Sequence, residues 1–513
     1  MPVALAVLAL ALGAWTFDTK LSLSGDNAEY IVLARSLAQG RGLTYISSPA
    51  PQPATKFPFA FPLMLAPLAW LDPDGWVGMK VLVLVLFAAG MPALYALLRP
   101  RLGWTTAATT VVLCMLWGNS TASGPPLLLD FAHQIMSEIP YLTFSVLALW
   151  LVERGLQQPG VRRNRALQLG FASAMWAYYL RTVGLVLLAA VFVYLLARRD
   201  WRRAIVWLAA AGVCWLPWSV RNWLVGGGAT YLRQLVMVDP YLPEKGLLDL
   251  PGLLDRIRSN LGLYVTGFVP YALCPWQIED HSWWGPVALA QYALVAYTAF
   301  ASLRHRRDGL LGIYTVLYLG TVILWPWPGD RFLVPIVPLL GYYAVRMAAD
   351  ATAWAAARGH GTAARAALAG FCVLWLGASG DDFAALRRFS RGPYPADLAG
   401  WTQFQRAGEW LRAHAAPDAV IMCRKEFWLH VVCGRRCLCY PFAEPAAVMA
   451  AMDRNQVTHV VVESLGYPQT ARYLAPAITA NAERFTLVWA NEEPPTYVFA
   501  YHRAPVAPRP PAP

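Results

Sequence analysis

Apolar runs close to the length of a bilayer crossing recur along the first 380 residues, and they limit the possible fold more than any other feature. A helix needs about 20 mostly apolar residues to cross the hydrocarbon core of a membrane. About eleven spans are predicted, at residues 2-17, 77-98, 103-118, 139-152, 166-180, 182-197, 204-223, 284-303, 309-326, 332-349 and 363-379. The first run lacks a basic flank and a cleavage site, so it is interpreted as a span and not as a signal peptide.

The composition supports the same class. The chain is 57% hydrophobic with 14% charged residues, and its mean hydropathy is +0.41, values that soluble proteins rarely reach. Its net charge of +12 is spread along the chain, and no nucleic-acid-binding motif accompanies it, so no nucleic-acid partner is expected. The predicted fold class is mainly α: a polytopic helical membrane protein that contacts membrane lipids and carries a small C-terminal α/β domain.

Arginine-rich connections alternate with connections that are poor in arginine. The positive-inside rule places the arginine-rich ones in the cytoplasm. They contain Arg99 and Arg101; Arg154, Arg162, Arg163 and Arg165; Arg198, Arg199, Arg202 and Arg203; and Arg304, Arg306 and Arg307. The other connections are predicted to face outward: 18-76, 119-138, the hinge at Arg181, 224-283, 325-332 and everything after about residue 380. Arg181 can lie in an outward connection only if residues 166-197 form two short spans instead of one long helix.

The polar groups that lie at or between apolar segments all fall on the outward side in this topology. They are Asp26, Glu29, Lys56, Glu138, Arg181, Asp330 and Arg331. Charged groups beside a bilayer are costly unless they are paired or used. The sequence therefore predicts a single polar cavity that faces outward at the membrane surface.

Three regions are predicted. Residues 1-380 form the transmembrane domain with the first outward loop at 18-76, residues 381-505 form an extracytoplasmic α/β domain, and residues 506-513 form a disordered Pro-rich tail. Within the α/β domain the spacing indicates a helix over 401-416 and strands at AVIMC, THVVVES, FTLVWA and TYVFAYH.

The eight cysteines divide evenly between the two domains. Those in or beside spans are interpreted as apolar packing: Cys114, Cys214, Cys274 and Cys372. Those of the α/β domain are Cys423, Cys433, Cys437 and Cys439. In an oxidising compartment they favour one or two disulfides of undetermined connectivity. A zinc site that also uses His430 is the weaker alternative, because the CxxxCxC spacing is unusual for zinc.

The acids of the first loop have two interpretations. Asp26-x-x-Glu29 matches a capping box at the start of a helix that carries Tyr30 at helical spacing, with Gly40 and Gly42 as the stop. A carboxylate held at a helix start can also accept a proton, so catalysis by Asp26 is compatible with the cap. The narrower hypothesis makes Asp26 a base and gives Glu29 mainly a role in supporting the helix start.

The cation near the end of this loop is Lys56, followed by the aromatic run Phe57-Pro58-Phe59-Ala60-Phe61-Pro62. The two prolines predict a rigid turn at the membrane surface instead of a regular helix. Lys56 either snorkels to lipid headgroups or contacts the phosphate of a lipid-linked substrate.

Three more charged residues are candidates for the site. Glu138 lies at the mouth of a span, where Ser137 can cap the helix and Glu138 can favour the helix dipole. Arg181 and Arg331 lie on the side where the positive-inside rule does not place cations. Each either pairs with a carboxylate or binds phosphate oxygens.

The order of these segments resembles the membrane glycosyltransferases of the GT-C superfamily, in particular the protein O-mannosyltransferase and lipid A aminoarabinose transferase branch. The residues that carry the resemblance are GDNAEYIVLARSLAQGRGL, KFPFAFP, SEIP, RTVGL and DRFLVPIVPLL. The resemblance implies transfer of a sugar, with inversion, from a polyprenyl-phosphate donor to an acceptor hydroxyl or phosphate outside the cytoplasm. It also implies a bacterial inner-membrane location, and it leaves a divalent metal open.

By position in that resemblance, Asp26 matches the general base, and Lys56 and Arg331 match the cations that hold the lipid phosphate. Glu138 matches a second acid that shapes the acceptor or metal site. Arg181, Glu29 and Tyr30 are further candidates for substrate binding. The chain departs from the mannosyltransferases at Asp26-Asn27, where two adjacent acids are common, so no metal ligands are assigned.

Two other functions are open at this stage. A transporter or lipid-linked sugar flippase would show charged residues within spans and an internal repeat between halves, and neither is evident in the sequence. The C-terminal domain could also act as a binding module that recruits the acceptor. The sugar, the acceptor and the lipid chain length are not specified by the sequence.

Overall fold

The computed structural model describes residues 1–23, 25–116, 127–158, 164–227, 230–273, 284–304 and 308–503. Arg162, Arg163, Arg306, Arg307, Cys274 and the predicted Pro-rich tail lie outside these residues. The described α-helices of the membrane domain are α1 Pro2–Trp15, α2 Gly25–Ala38, α3 Ala60–Leu71, α4 Val77–Leu102, α5 Trp104–Leu116, α6 Leu127–Phe131, α7 Glu138–Leu156, α8 Arg165–Leu180, α9 Gly184–Ala197, α10 Trp201–Leu224, α11 Thr230–Val236, α12 Leu250–Leu263, α13 Val269–Leu273, α14 Trp284–Arg304, α15 Gly309–Leu324, α16 Val337–Ala356 and α17 Gly361–Arg391.

Each predicted span coincides with one of these helices. In chain order they are α1, α4, α5, α7, α8, α9, α10, α14, α15, α16 and α17. Among the described residues, three helices are long and apolar enough to cross a membrane by length and composition: Val77–Leu102, Glu138–Leu156 and Trp201–Leu224. The helical class is therefore confirmed, while the number of about eleven spans stays a prediction.

Small residues allow the central helices of the membrane domain to approach closely. A Cβ added to Gly155 of α7 would lie 2.6 Å from the backbone nitrogen of Leu167 in α8, and a Cβ on Gly90 of α4 would lie 2.8 Å from the Thr143 hydroxyl in α7. Membrane helices gain little from the hydrophobic effect against lipid, so close van der Waals contact between backbones stabilises their association. The α4, α7 and α8 helices thus form a tight scaffold behind the outward loops.

The segment 166-197 is two helices, as the predicted topology required. Helix α8 ends at Leu180 and α9 begins at Gly184, so Arg181 lies in the connection. A Cβ on Gly184 would lie 2.4 Å from the Tyr178 Cα. Only glycine permits this close return of the chain, which fixes Arg181 at the junction of the two helices.

The C-terminal domain is a five-stranded mixed sheet with the strand order β2-β1-β3-β5-β4. Strands β1 and β2 and strands β1 and β3 are parallel, whereas β3–β5 and β5–β4 are antiparallel. Its elements are α18 Ala399–His414, β1 Val420–Met422, α19 Glu426–Cys433, β2 Arg436–Leu438, α20 Pro445–Arg454, β3 His459–Val462, α21 Ala475–Thr479, β4 Phe485–Glu492 and β5 Pro495–Tyr501.

Helices cover both faces of this sheet because its side chains alternate. Ile421 and Val461 pack with Trp428 of α19 on one face, and Met422 and Val460 pack with α20 and α21 on the other. The four predicted strands and the first helix are confirmed. The sequence interpretation missed β2, α19 and α20, and its domain boundary at 380/381 lies inside α17, which continues to Arg391.

The C-terminal domain docks on the first outward loop. The Trp428 indole nitrogen donates a hydrogen bond to the Ser22 carbonyl at 3.2 Å, and the Cys437 backbone N–H donates to the Ser47 carbonyl at 2.8 Å. Buried side chains of α19 and α2 belong to one continuous apolar core. The docking brings Arg424, which follows β1, and Tyr467, which follows β3, to the side of the domain that faces the membrane domain.

Candidate active site

A cavity of about 1040 Å³ lies between the outward loops and the C-terminal domain. Six of the seven site residues predicted from the sequence line it: Asp26, Glu29, Tyr30, Lys56, Arg181 and Arg331. The seventh, Glu138, is fully buried behind the wall of the cavity and pairs with Arg181. Residues that are up to 305 positions apart in the chain are therefore brought together.

Lys56 lies between the two acids of the first loop. Its Nζ donates to Asp26 Oδ1 at 3.1 Å and to Glu29 Oε2 at 2.7 Å. The ammonium also lies 4.3 Å from the centre of the Phe57 ring. The cation is therefore held by two carboxylates and one aromatic ring at the surface of the cavity. These contacts argue against the interpretation that Lys56 snorkels to lipid headgroups.

Arg331 reaches the same carboxylate from the other side of the fold. It follows α15 in a short 3₁₀ turn, Asp330–Phe332, and its Nη2 donates to Asp26 Oδ2 at 3.0 Å. Burial acts to raise the pKa of Asp26, but the charges of Lys56 and Arg331 together outweigh burial and hold that pKa well below its ordinary value. Asp26 is thus ionised, and both of its oxygens are engaged by cations.

Glu29 has different surroundings from Asp26. The Tyr45 hydroxyl donates to Glu29 Oε1 at 2.6 Å, and Lys56 holds Oε2. Burial raises the pKa of Glu29, against the opposing charge of Lys56. Because α2 begins at Gly25, Asp26 lies inside the helix, and both Glu29 oxygens are used elsewhere. The expected role of Glu29 in supporting the helix start through a capping box is therefore wrong.

Glu138 and Arg181 form a second network behind the first. Arg181 Nη1 lies 2.6 Å from Glu138 Oε1 and donates to the Ser137 hydroxyl at 3.1 Å. Ser137 precedes α7 but does not cap it, because its hydroxyl bonds Arg181 and Tyr30 at 2.9 Å. Arg331 Nε lies 4.0 Å from the same Glu138 oxygen. Glu138 therefore links the two arginines, and it lies beneath the cavity surface.

The aromatic run after Lys56 supports Tyr30. The Tyr30 ring stacks on Phe57 with centroids 4.4 Å apart and meets the edge of Phe61 at 4.8 Å. The predicted turn ends at Phe59, and α3 starts at Ala60, so the interpretation that the whole run is non-helical is wrong. Pro62 lies in the first helical turn, where the missing N–H would have no intrahelical partner in any case.

Several lining residues were not predicted from the sequence. From the C-terminal domain they are Arg424, Lys425, Glu426 and Tyr467, and from the outward loops they are Tyr231, Tyr241, Trp325 and Trp327. Trp325 and Trp327 meet edge to face at 5.9 Å, and Tyr241 lies 4.9 Å from Trp327. One signal was available for Arg424, since it directly follows a predicted buried strand.

The described acids and cations of the cavity do not fit a resident metal. Lys56 Nζ lies between Asp26 and Glu29, in the position that a divalent cation would need. In the described part of the chain, no group of three or more His, Cys, Asp or Glu side chains could hold a metal ion. The zinc alternative at His430 has no support either, because none of the described His and Cys side chains of this domain belongs to such a group.

The cysteines of the C-terminal domain are free thiols. Cys433 and Cys437 approach each other most closely, with Sγ atoms 3.8 Å apart, and both are buried between α19 and β2. The sequence-based expectation of one or two disulfides is therefore corrected for the described residues. Their burial with Trp428 and Leu429 gives them a packing role in the core.

Comparison with known proteins shows the fold. No family model matches the sequence, and no curated protein matches it significantly. The structure is similar to that of ArnT from Cupriavidus metallidurans bound to undecaprenyl phosphate, with a TM-score of 0.60 and 15% identity over 97% of both chains. It is also similar to the Archaeoglobus fulgidus oligosaccharyltransferase tethered to an acceptor peptide, with a TM-score of 0.60 and 12% identity over 98% of this chain and 74% of that one. A complex of the same oligosaccharyltransferase with zinc and sulfate gives a TM-score of 0.60, 13% identity and coverage of 97% and 73%.

Both proteins are GT-C glycosyltransferases. This chain shares their fold over nearly its whole length, so the resemblance seen in the sequence is confirmed at the level of the fold.

Proposed function

We propose that this protein is an inverting glycosyltransferase that moves a sugar from a polyprenyl-phosphate donor to an acceptor at the outward face of a membrane. The observation that carries the proposal is the convergence of Lys56 and Arg331 on the single carboxylate of Asp26 at the wall of the cavity. Two cations around one acid form a site that a phosphate can enter by replacing the carboxylate as their partner. The fold shared with ArnT, which binds undecaprenyl phosphate, supports this donor.

Donor binding releases the base. While Lys56 and Arg331 hold Asp26, its pKa is too low for it to take a proton efficiently. When the donor phosphate draws both cations to its own oxygens, the carboxylate loses the charges that depress its pKa. Asp26 then becomes a better base only in the complex that contains the donor.

The transfer is a single displacement. The acceptor oxygen forms a bond to the anomeric carbon as the bond from that carbon to the phosphate oxygen breaks. The electron pair of the broken bond leaves with the polyprenyl phosphate, where Lys56 and Arg331 stabilise the added charge. Asp26 accepts the proton of the acceptor hydroxyl. Because the leaving group needs no proton, one base and two cations are sufficient.

The remaining network positions these groups. Glu138 orients Arg181 and Arg331 from beneath the surface, so we assign it a positioning role and not direct contact with substrate. Glu29 holds Lys56, and Tyr30 is fixed by Ser137 and Phe57 at the wall. The aromatic rings of Trp325 and Trp327 offer apolar faces for the sugar.

The proposed location follows from the distribution of arginine. The cavity and the C-terminal domain lie on the side opposite the arginine-rich connections, which is the extracytoplasmic side by the positive-inside rule. The proposed location is the bacterial inner membrane, where a polyprenyl-phosphate donor can reach the cavity through the bilayer, and the apolar helices support a membrane location. The acceptor remains to be identified by mass analysis of cell-envelope glycans with and without the gene.

The test of this function is Asp26→Asn in the full-length protein. In membranes that contain lipid-linked sugars, the wild type should convert the donor to free polyprenyl phosphate, and the variant should do so about 10²–10⁴-fold more slowly because it lacks the base. Binding of undecaprenyl phosphate should stay the same or tighten, since the competing carboxylate charge is gone.

The matched control is Asp255→Asn, which changes an exposed acid of α12 whose partner Arg258 is also exposed. This variant should transfer sugar at the wild-type rate. Full transfer by Asp26→Asn would overturn the assignment of the base. A wild-type protein that moves lipid-linked sugar across vesicles without consuming it would favour the transporter alternative.

A further inference from the structure

The segments that follow β1 and β3 of the C-terminal domain line the cavity, and the segment that follows β2 contacts Arg424. Arg424 follows β1, Phe442 follows β2 and Tyr467 follows β3, and the Arg424 guanidinium lies 5.0 Å from the Phe442 ring and 5.1 Å from the Tyr467 ring. In open α/β sheets, the loops beyond the carboxyl ends of parallel strands are the usual place for ligands. This edge of the sheet is turned toward the membrane domain.

Arg424 is a buried cation without an anionic partner. The residue is 8% exposed, and its Nε is buried with no hydrogen-bond partner among the described residues. Within the described part of the chain, no carboxylate oxygen lies within 4 Å of its guanidinium, which contacts only aromatic rings, including Tyr241 at 5.6 Å. Burying an arginine is costly unless an anion or a ligand compensates its charge.

Lys425 lies next to Arg424, and its positive charge likewise has no carboxylate partner among the described residues. Its Nζ lies 4.2 Å from the centre of the Tyr467 ring, and no ion pair is formed with any described residue. The acids that face the pair are Glu426 and Glu463. Burial raises the pKa of both, that of Glu463 to about 7, so these acids compensate the two cations only in part.

The unpaired cations contrast with those of the proposed donor site. Lys56, Arg181 and Arg331 each contact a carboxylate at 3.1 Å or less. A polyprenyl-phosphate donor carries one phosphate, which the cluster of Lys56 and Arg331 accommodates. The second pair of cations therefore lines the same cavity without a partner from the donor.

We propose that Arg424 and Lys425 form a second anion subsite, which holds a phosphate or carboxylate group of the acceptor. This inference rests on the proposed function, because it assigns the subsite to the second substrate of that reaction. The aromatic rings of Tyr241, Phe442 and Tyr467 exclude water from the guanidinium, which strengthens its attraction for an oxyanion. An acceptor held there enters from the side of the C-terminal domain, while the donor enters from the membrane.

The experiment uses full-length protein in nanodiscs and two probes, phenyl phosphate and undecaprenyl phosphate. Tryptophan fluorescence reports binding, since Trp325, Trp327 and Trp428 line the cavity. Phenyl phosphate should bind both the free protein and the protein saturated with undecaprenyl phosphate. Benzoate, as the carboxylate probe, should compete with phenyl phosphate, and benzyl alcohol, as the neutral probe, should not.

Arg424→Gln should weaken phenyl phosphate binding at least tenfold, because it removes a charge-assisted contact, and leave undecaprenyl phosphate affinity within about twofold. Arg424→Lys should recover part of the affinity for phenyl phosphate. Lys56→Gln should give the reverse pattern, with the loss confined to undecaprenyl phosphate. Arg454→Gln, at an exposed arginine of α20, is the matched control and should change neither.

Competition between the two probes, a loss of undecaprenyl phosphate binding in Arg424→Gln, or no binding of phenyl phosphate to the wild type would each overturn the subsite. If Arg424→Gln does not fold, Lys425→Gln gives the same test with a partly exposed residue. Failure of the proposed function has a separate signature: undecaprenyl phosphate would not bind the wild type, or Lys56→Gln would not weaken it.

Discussion

The two walls of the cavity compensate their positive charges in different ways. On the wall formed by the membrane domain, every cation contacts a carboxylate, so Lys56, Arg181 and Arg331 belong to one network with Asp26, Glu29 and Glu138. On the wall formed by the C-terminal domain, Arg424 and Lys425 contact aromatic rings only. For a phosphate to bind the first wall, its cations would have to exchange partners, whereas no described carboxylate would have to be displaced from Arg424 or Lys425.

This difference has a chemical consequence. In the proposed function, exchange of partners would couple donor binding to release of Asp26, so the proposed base would act only when a donor is bound. Such coupling would require the donor to bind before the acceptor is deprotonated. The unpaired wall needs no exchange and can hold an anionic group without changing the state of any base. Under the two proposals, the wall of the membrane domain is the catalytic wall and the wall of the C-terminal domain is the binding wall.

The largest expected effect comes from breaking the paired wall at Glu138. Glu138→Gln leaves the Arg181 guanidinium, whose side chain is 16% exposed, without its carboxylate. Loss of one partner of a buried pair costs about 3–5 kcal/mol, so the free energy of unfolding of the full-length protein should fall by about 3 kcal/mol. Denaturant unfolding in detergent micelles measures this change.

Glu426→Gln is the matched substitution on the other wall. Glu426 lies near Arg424 and Lys425 but has no ion pair with any described residue, and burial raises its pKa. Replacing it should change the free energy of unfolding by less than about 1 kcal/mol. Equal losses in the two variants would show that the walls do not differ in the way that their charges are compensated.

The sequence predicted the paired wall better than the unpaired one. Apolar length is a local property, so each predicted span became a helix, and polar groups between spans on one side were expected to meet. The shared partner of Asp26 and Glu29 could not be predicted from the local sequence, because Lys56 is 27 residues from Glu29. Two acids at positions i and i+3 are also equally consistent with a helix cap.

Arg424 was missed for a different reason. Its approach to the cavity depends on parallel pairing of β1 with β2 and β3 and on docking of α19 against α2. Both involve contacts distant in sequence, and a single loop does not encode them. The strand before Arg424 was predicted, but the order of the strands in the sheet was not. The sequence therefore could not indicate which edge of the sheet faces the membrane domain.

A smaller effect is expected from Glu463 behind the unpaired wall. Thr470 donates a hydrogen bond to Glu463 Oε1, and Oε2 is buried without a partner among the described residues. Burial raises the pKa of Glu463 from 4.5 to about 7 in the folded protein. Since the folded value lies above the unfolded one, its contribution to stability is fully present below pH 4.5 and is lost as the pH rises through 7.

The C-terminal domain should therefore lose roughly 2–3 kcal/mol of local stability between about pH 5 and pH 8. Hydrogen exchange of the β3 amides, corrected for intrinsic rates, measures the loss. Glu463→Gln should remove the pH dependence and keep the Thr470 hydrogen bond, while Glu483→Gln, at an exposed acid, should leave it intact. An unchanged slope in Glu463→Gln would assign the pH dependence to other groups.

The smallest effect tests Tyr45, which touches both walls. Its hydroxyl donates to Glu29 Oε1 at 2.6 Å, and its ring lies 5.0 Å from Phe427 of α19. Burial and the Glu29 charge raise the pKa of the hydroxyl well above its ordinary value, so it remains a donor at neutral pH. Tyr45→Phe keeps the contact with Phe427 and removes only the hydrogen bond.

Loss of that hydrogen bond should cost about 1 kcal/mol, because Glu29 is then less firmly oriented toward Lys56. Since Lys56 is proposed to hold the donor phosphate, the KM for the donor should rise roughly fivefold with little change in kcat. The matched control is Tyr497→Phe, which removes an exposed hydrogen bond from a tyrosine to Glu492 at 3.2 Å and should change neither constant. A fall in kcat without a change in KM would mean that Tyr45 acts on Asp26 or on the acceptor and not on the cation that holds the donor. The hydroxyl of Tyr45 would then belong to the chemistry of transfer, and the division between a catalytic wall and a binding wall would have to be redrawn around it.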